Sequence, residues 1–381
     1  MKKIVLIHGT INPTRTQFFN DLYDYLLSQW WELSIIFLSA NWSKRKWNWE
    51  WEIDEFKFSF KVLNSKQLKV KWLWNYYFRM DYNTWINKVL DEENPDIIIH
   101  DWWASFSAWQ SQKWCKKNKK KYILWNESSK YENSWRRTIT KPMVKSLVKK
   151  SDWYISFWTR ATEYLIILWA NSEKICQYYN PVDIEFFINE SNRLKDKKQE
   201  LKDKYWIKTK YCALFVWQMV ELKWIYDIIK WFNLFSKNHD DWSLLMVWTW
   251  KEYDKILQLI QELDIKNVIM PWFIQKDKIG ELYSIADVFT LPSYSEVWWL
   301  VINEALCFWL PVITAKEVWA WEDLVIEWET WYVMKNHSPE EWCNWLNYVI
   351  EKDLINNNNS LEHICKYKNR AFIGNIKILL D

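Results

Sequence analysis

Short apolar runs alternate with amphipathic stretches along nearly the whole chain. The runs predict strands at Ile4 to Ile7, Leu33 to Leu38, Ile97 to Ile99, Tyr122 to Leu124 and Tyr154 to Phe157. A second set follows at Cys212 to Val216, Leu244 to Val247, Val268 to Ile269, Val288 to Leu291 and Pro311 to Thr314. Between them, segments such as Phe18 to Leu27 and Tyr253 to Leu263 repeat apolar residues at helical spacing. Alternating strand and helix implies an α/β protein with parallel sheets. Two such sets, each long enough for its own core, imply two Rossmann-like domains. The boundary is expected near Asn180-Pro181-Val182-Asp183, ahead of the polar helical stretch Glu190 to Lys204. The expected division is 1–183, 184–350 and a C-terminal segment 351–381, with the run Asn356 to Asn359 as a loop.

Composition removes several classes. Of the 381 residues, 50% are hydrophobic and 26% charged, which excludes a disordered or fibrous chain. No apolar run approaches the roughly 18 to 20 residues of a membrane span. The start, Met1 to His8, passes from charge directly to a strand pattern, without the apolar core of a signal peptide. The six cysteines are widely spaced, with no CxxC pair and no nearby histidine cluster. That pattern predicts free thiols in a reducing compartment, and no metal site. A cytoplasmic protein is expected, with no nucleic-acid partner.

Charge is uneven. Residues 1–183 hold 28 Lys+Arg against 19 Asp+Glu, and the remainder 23 against 29, so the halves carry +9 and −6. Lysines cluster in Lys113 to Lys121 and in Lys141 to Lys150. The second run, with Met143, Val144, Leu147 and Val148 interleaved, reads either as a basic amphipathic helix on an anionic membrane or as a solvated lysine face.

Two counts change the picture. Glycine occurs 3 times, where an average share of about 7% would give roughly 27. Tryptophan occurs 35 times. Trp30, Trp31, Trp217, Trp248, Trp250, Trp272, Trp328 and Trp331 stand at strand–helix turns, where positive φ or close backbone approach calls for glycine. The hypothesis is that UGA codons for glycine have been rendered as tryptophan. Trp125, Trp242 and Trp298, in apolar or aromatic surroundings, are expected to be genuine.

Candidate chemistry concentrates in the second half. Phe215 to Trp224 runs from a strand into a helix, with Lys223 at the helix start. Such a loop suits phosphate, whose charge meets backbone N–H groups and the helix dipole. A solvated lysine at a turn fits that segment equally well. Ala286 to Ser293 is a strand ending in a turn, and Glu296 and Glu304 follow eight residues apart. Glu304 could accept hydrogen bonds from a ribose diol, as acidic residues do in dinucleotide sites. Alone, two acids flanking a helix read as solvated charge.

With tryptophan read as glycine at the turns, the order of elements resembles the retaining nucleotide-sugar glycosyltransferases of family 4. Their G-R-x-x-x-x-K-G element corresponds to 217–224, a strand ending in a G-x-G turn to 247–250 and a P-G-F-like segment to 271–273. A-D-V-x-x-x-P-S corresponds to 286–293, the E-x7-E signature to 296–304 and G-x-P-V-I to 309–313. Lys149 to Ile155 and the N-P-V-D segment at 180–183 extend the likeness into the first half.

The resemblance implies a GT-B fold, two Rossmann-like domains facing across a cleft, with the C-terminal helix returning to the first. It implies retaining hexosyl transfer from a nucleoside-diphosphate sugar to a saccharide or lipid-linked acceptor hydroxyl, in surface polysaccharide or glycolipid synthesis. Lys223 would bind the diphosphate and act with Glu296, which would hold the transferred sugar. Backbone N–H groups of Trp299 and Leu300 would contact phosphate and sugar, and Glu304 the ribose. Gln218 stands where the family has arginine and supplies no charge.

No cofactor or metal is expected if Lys223 and helix N-termini stabilise the departing diphosphate. Arg15 is either an anion contact or a surface arginine. His100, Asp101 and Glu127, at strand ends, are either acceptor contacts or structural. A nucleotide-sugar epimerase shares the architecture, and a non-catalytic aromatic-rich carbohydrate binder is the alternative if the tryptophans are literal.

Overall fold

The computed structural model describes residues 1–39, 52–63, 65–72, 76–101, 103, 105–131, 135–178, 182–216, 223–247, 253–271, 274, 278–293, 300–318, 321–324, 331–356, 364–365 and 376–380. The chain divides into two compact units, Met1–Pro181 with Asn369–Asp381, and Val182–Lys368.

The first unit runs β1 (Lys2–Thr10), α1 (Pro13–Ser28), β2 (Trp31–Ser39), β3 (Ser59–Val62), β4 (Lys66–Trp72) and β5 (Tyr76–Tyr82). It continues with α2 (Ile86–Glu93), β6 (Ile97–Asp101), α3 (Phe106–Asn118), β7 (Lys121–Asn126), α4 (Trp135–Lys149), β8 (Trp153–Phe157), α5 (Thr159–Ile167) and β9 (Ile175–Tyr178). Its main sheet has the order β3-β2-β1-β6-β7-β8-β9, and every pairing is parallel. Ile4 to Ile7 are fully buried, as a central strand covered on both faces requires. Val5 and Ile7 pack in one core with Leu90 of α2, Trp114 of α3 and Leu147 of α4. From the returning C-terminal segment, the Leu379 carbonyl accepts from Lys121 Nζ at 3.2 Å.

The second unit runs α6 (Ile184–Leu194), α7 (Lys198–Lys204), β10 (Tyr211–Val216), α8 (Lys223–Ser236), β11 (Trp242–Val247), α9 (Tyr253–Glu262) and β12 (Val268–Ile269). Then come α10 (Ile279–Ile285), β13 (Val288–Leu291), α11 (Leu300–Cys307), β14 (Val312–Ala315), α12 (Trp321–Leu324), β15 (Trp331–Met334) and α13 (Pro339–Glu351). Its sheet, β12-β11-β10-β13-β14-β15, is parallel throughout.

All ten strands expected from apolar runs are present. The strands that sequence reading passed over are β3, β4, β5, β9 and β15. The β4–β5 pair is an antiparallel ribbon in which lysines and aromatics mix without a long apolar run. The stretch Glu190 to Lys204 is two helices joined by a tight turn at Lys195–Lys197. Among the described residues, no helix is long and apolar enough to cross a membrane.

Backbone conformation bears directly on the tryptophans. Eleven described non-glycine residues have positive φ, and six of them are Asn, Asp, His or Lys. The other five are Trp30, Trp158, Trp169, Trp206 and Trp309, at φ between 58° and 76°. Trp30, Trp169, Trp206 and Trp309 each follow a helix end, the position where glycine is preferred. After three of them the next N–H closes the helix: Ala170 onto the Leu165 carbonyl, Ile207 onto Lys202 and Leu310 onto Ala305. Trp158, between β8 and α5, has φ 76° and ψ 162°, a region open essentially to glycine alone. Trp30, Trp169 and Trp206 project 82%, 62% and 81% exposed indoles, so no core requirement explains them.

Trp125 and Trp242, expected to be genuine, are buried at ordinary φ. Trp217, Trp248, Trp250, Trp272, Trp298, Trp299 and Trp328 lie outside the described residues.

Candidate active site

In an open parallel sheet, ligands bind beyond the strand C-termini where the chain order reverses. In the second unit that point lies between β10 and β13, because the chain leaves β10 for β11 on one side and β13 for β14 on the other. Lys223 opens α8 shortly after β10, and Leu300 opens α11 shortly after β13. Both helices therefore start at the switch point, and both are long enough to present a dipole there.

Glu304 lies one turn into α11 and is half-buried. Its Oε2 accepts from the Tyr283 phenol at 2.8 Å. Tyr283 is fully buried, stacked on Phe308 at 5.4 Å between ring centroids, with Phe187 and Phe289 around it. Burial, and then the Glu304 charge, push its phenol well above the ordinary range, so it stays a neutral donor.

Asp287 of the A-D-V segment turns inward instead. It accepts from the Cys212 N–H at 2.8 Å and from Lys198 Nζ at 2.6 Å, pinning the start of β10. Burial pushes the Cys212 thiol up to about 12, with Asp287 adding to it, so this cysteine is inert at neutral pH.

The first sheet reverses between β1 and β6. Here Asp101 Oδ2 accepts from the Gly9 N–H at 2.8 Å and lies 3.3 Å from His8 Nε2. The His8 Nδ1 is 2.8 Å from the Thr10 carbonyl. His100 is fully buried, its Nδ1 2.6 Å from the Asp101 carbonyl. Next along the edge, Glu127 Oε1 accepts from Arg15 Nη2 at 2.6 Å and from the Trp125 indole at 2.9 Å. The Arg15 guanidinium lies over the Trp125 and Phe157 rings, 5.5 and 5.1 Å from their centroids. With 5% exposure Arg15 is a core residue, which removes the surface-arginine reading. Glu127 keeps 36% of its side chain exposed, so the carboxylate is the solvent-facing member of the pair.

The second unit matches the group 1 glycosyltransferases. The family model, "Glycosyl transferases group 1", aligns with residues 196–371. An uncharacterized glycosyltransferase of Haemophilus influenzae is 26% identical over 124 residues. An alpha-galactosylglucosyldiacylglycerol synthase of Streptococcus pneumoniae is 39% identical over 54 residues. The chain spans 35% and 14% of these relatives' lengths, and they span 32% and 14% of the chain.

Among solved structures, a Rickettsia africae glycosyltransferase superposes with a TM-score of 0.76 at 16% identity, covering 99% of this chain and 97% of its own. Anabaena HepE, solved in complex with UDP, gives 0.74 at 14% identity, covering 100% and 99%. These likenesses show that the whole described chain has the two-sheet α/β architecture of the GT-B glycosyltransferases.

Within this glycosyltransferase-like unit, Gln218, Glu296 and Trp299 lie outside the described residues, and Lys223 is described by its backbone alone. Among the described residues, no group of three or more His, Cys, Asp and Glu could hold a metal ion. Three participants escaped sequence reading. His8 lies near the C-terminal end of β1 as His100 does in β6, and the strand-end rule applied to His100 would have found it. The Trp125 indole lies only two residues before its partner Glu127, whereas the Tyr283 phenol had no local signal, since it lies 21 residues from Glu304.

Proposed function

We propose that the protein is a retaining hexosyltransferase of the family 4 type. It moves a sugar from a nucleoside-diphosphate donor to an acceptor hydroxyl in surface polysaccharide or glycolipid synthesis. The observation that carries this reading is the second sheet's switch point. The helices α8 and α11 follow the two strands that flank it, and Glu304 lies one turn into α11, inside a unit that matches the group 1 glycosyltransferases. In this reading Lys223, the N-terminus of α8 and the backbone N–H groups of Trp299 and Leu300 hold the diphosphate. Glu304 takes the ribose diol, Glu296 the hydroxyls of the transferred sugar, and Gln218 adds a neutral phosphate contact. Lysine and oriented amides stabilise the leaving diphosphate without a metal ion.

The bond from the anomeric carbon to the phosphate oxygen breaks as the acceptor oxygen bonds to the same face. The acceptor proton passes to the departing phosphate oxygen. The first unit would supply the acceptor side, through Asp101, Glu127 and Arg15 at its own switch point, with buried His100 as support. The UDP complex of HepE supports a uridine donor. The pneumococcal synthase, by its printed name, supports a lipid-linked acceptor.

The reading includes recoding: tryptophans at positive φ and at the phosphate loops stand for glycine. An indole at 217, 224 or 299 would crowd the amides that phosphate needs. The test is to incubate protein carrying glycine at those positions with UDP-glucose and a diacylglycerol or saccharide acceptor, and to assign the product anomer by proton NMR. Retention is expected. An inverted product overturns the mechanism, and epimerised donor without transfer overturns the activity.

A further inference from the structure

Exposed apolar side chains are not spread evenly. Thirteen large hydrophobic residues are exposed among the described residues, and six fall between positions 131 and 169: Tyr131, Ile139, Met143, Ile166, Ile167 and Trp169. That segment is about a tenth of the chain. Ile139 and Met143 lie four residues apart on the outer face of α4, while Val144, Leu147 and Val148 fill its inner face. Ile166, Ile167 and Trp169 come from the end of α5 and the turn after it. Lys145 and Lys149 of α4 reach over the Trp169 ring at 4.3 and 5.8 Å, which puts the two helix ends side by side.

The charge on α4 has one sign. The α4 sequence, WRRTITKPMVKSLVK, holds five basic residues and no acid. Arg137 is withdrawn, donating to the Ser129 carbonyl and to Ser128 Oγ. Lys141, Lys149 and Lys150 are exposed beside the apolar residues, with Lys145 between them. The neighbouring acids are engaged: Glu163 faces Lys130 at 3.3 Å, and Asp152 accepts from the Tyr122 N–H at 2.8 Å.

We propose that this face of α4, with the end of α5, docks on an anionic lipid bilayer. Ile139, Met143, Ile166 and Ile167 enter the headgroup–acyl boundary while Lys141, Lys145, Lys149 and Lys150 meet lipid phosphates. An apolar helix face interleaved with lysines suits a surface that is oily below and anionic above. A second copy of the chain suits it poorly, because a twofold pairing would bring like-charged lysines together. Trp169, with its positive φ, is not required: a glycine there leaves the four aliphatic residues and the lysines in place. The surface is also independent of the donor-site reading.

The experiment is co-sedimentation of the full chain with sucrose-loaded vesicles, either phosphatidylcholine alone or mixed with phosphatidylglycerol. Binding is expected only to the mixed vesicles and should weaken as salt rises. The combination Lys141→Glu, Lys145→Glu and Lys149→Glu should abolish it. Ile139→Ser with Met143→Ser, Ile166→Ser and Ile167→Ser, all lysines retained, should weaken it about tenfold. Lysine acetylation mapped by mass spectrometry on the unaltered chain guards against variants that misfold. Vesicles should protect Lys141, Lys145 and Lys149 but not Lys197, Lys198 or Lys204. Any of three results overturns the proposal: no binding to phosphatidylglycerol at low salt, equal binding by the serine variant, or a concentration-dependent dimer that shields these lysines without lipid.

Discussion

At the scale of single residues, backbone angle and indole partnership separate some built tryptophans from some strained ones. Trp114 donates to Asp91 at 2.6 Å, Trp125 to Glu127 at 2.9 Å and Trp342 to Thr290 Oγ1 at 2.9 Å. A buried indole that finds a partner is a built tryptophan. Trp30, Trp158, Trp169, Trp206 and Trp309 hold positive φ at a cost of about 1 kcal/mol or more each for a side chain with Cβ. Glycine at the exposed positions Trp30, Trp169 and Trp206 is expected to raise the melting temperature, whereas Trp125→Gly and Trp342→Gly should lower it sharply by opening cavities. Paired thermal melts check this, and UGG codons throughout the gene would remove the recoding.

Tyr283 adds a second residue-scale expectation. Tyr283→Phe keeps the ring among Phe187, Phe289 and Phe308 but removes the phenol from Glu304. Nucleotide affinity and the preference for UDP over its 2′-deoxy form should both fall, while stability drops by about 1 kcal/mol. Lower stability with the preference intact would make the phenol structural only. The sequence carried Glu304 through its spacing, but nothing local to Tyr283 announced its partner.

Among the elements, caps explain which motifs are structural. The Asp183 of N-P-V-D is the N-cap of α6, its Oδ1 accepting from the Phe186 N–H at 2.9 Å. Ser338 caps α13 by accepting from the Glu341 N–H at 3.1 Å. Glu341 in turn accepts from the Tyr332 phenol and from the Lys335 and Asn336 N–H groups at 2.7 to 3.0 Å. Burial works to raise the Glu341 carboxyl, but these donors outweigh it and hold it below the usual range.

A depressed folded value means the stabilisation is complete above the ordinary glutamate value of about 4.3 and is lost as pH falls through the folded one. Glu341→Gln should therefore melt lower than the unaltered protein at neutral pH, and the gap should close as pH falls below the ordinary glutamate range. A constant gap across a pH series of melts would contradict this. The ten strands legible in the sequence are continuous apolar runs buried in parallel sheets. Short β3 and β9 and the mixed β4–β5 ribbon lack such a run, so alternation alone could not reveal them. By contrast β15, Trp331–Met334, is apolar throughout and was missed because Trp331 opens the strand instead of standing at a turn.

For the molecule as a whole, two parallel sheets each carry candidate polar groups toward their switch point: His8, Asp101 and Glu127 in one, Lys223 and Glu304 in the other. Alternation of strand and helix made that architecture legible. The pairing of His8 with Asp101, 93 positions away, depends on strand order, which local pattern does not carry. The basic first half and acidic second half fit a protein that presents one unit to an anionic surface. The central claim is that the second unit binds a nucleoside diphosphate through Lys223 and Glu304. Calorimetric titration of UDP, GDP and ADP, with the Lys223→Ala and Glu304→Gln variants alongside, tests it most directly. One nucleotide should bind, with affinity falling about ten- to a hundredfold in Lys223→Ala and measurably in Glu304→Gln. Failure of all three to bind, or equal affinity in both variants, would contradict the account.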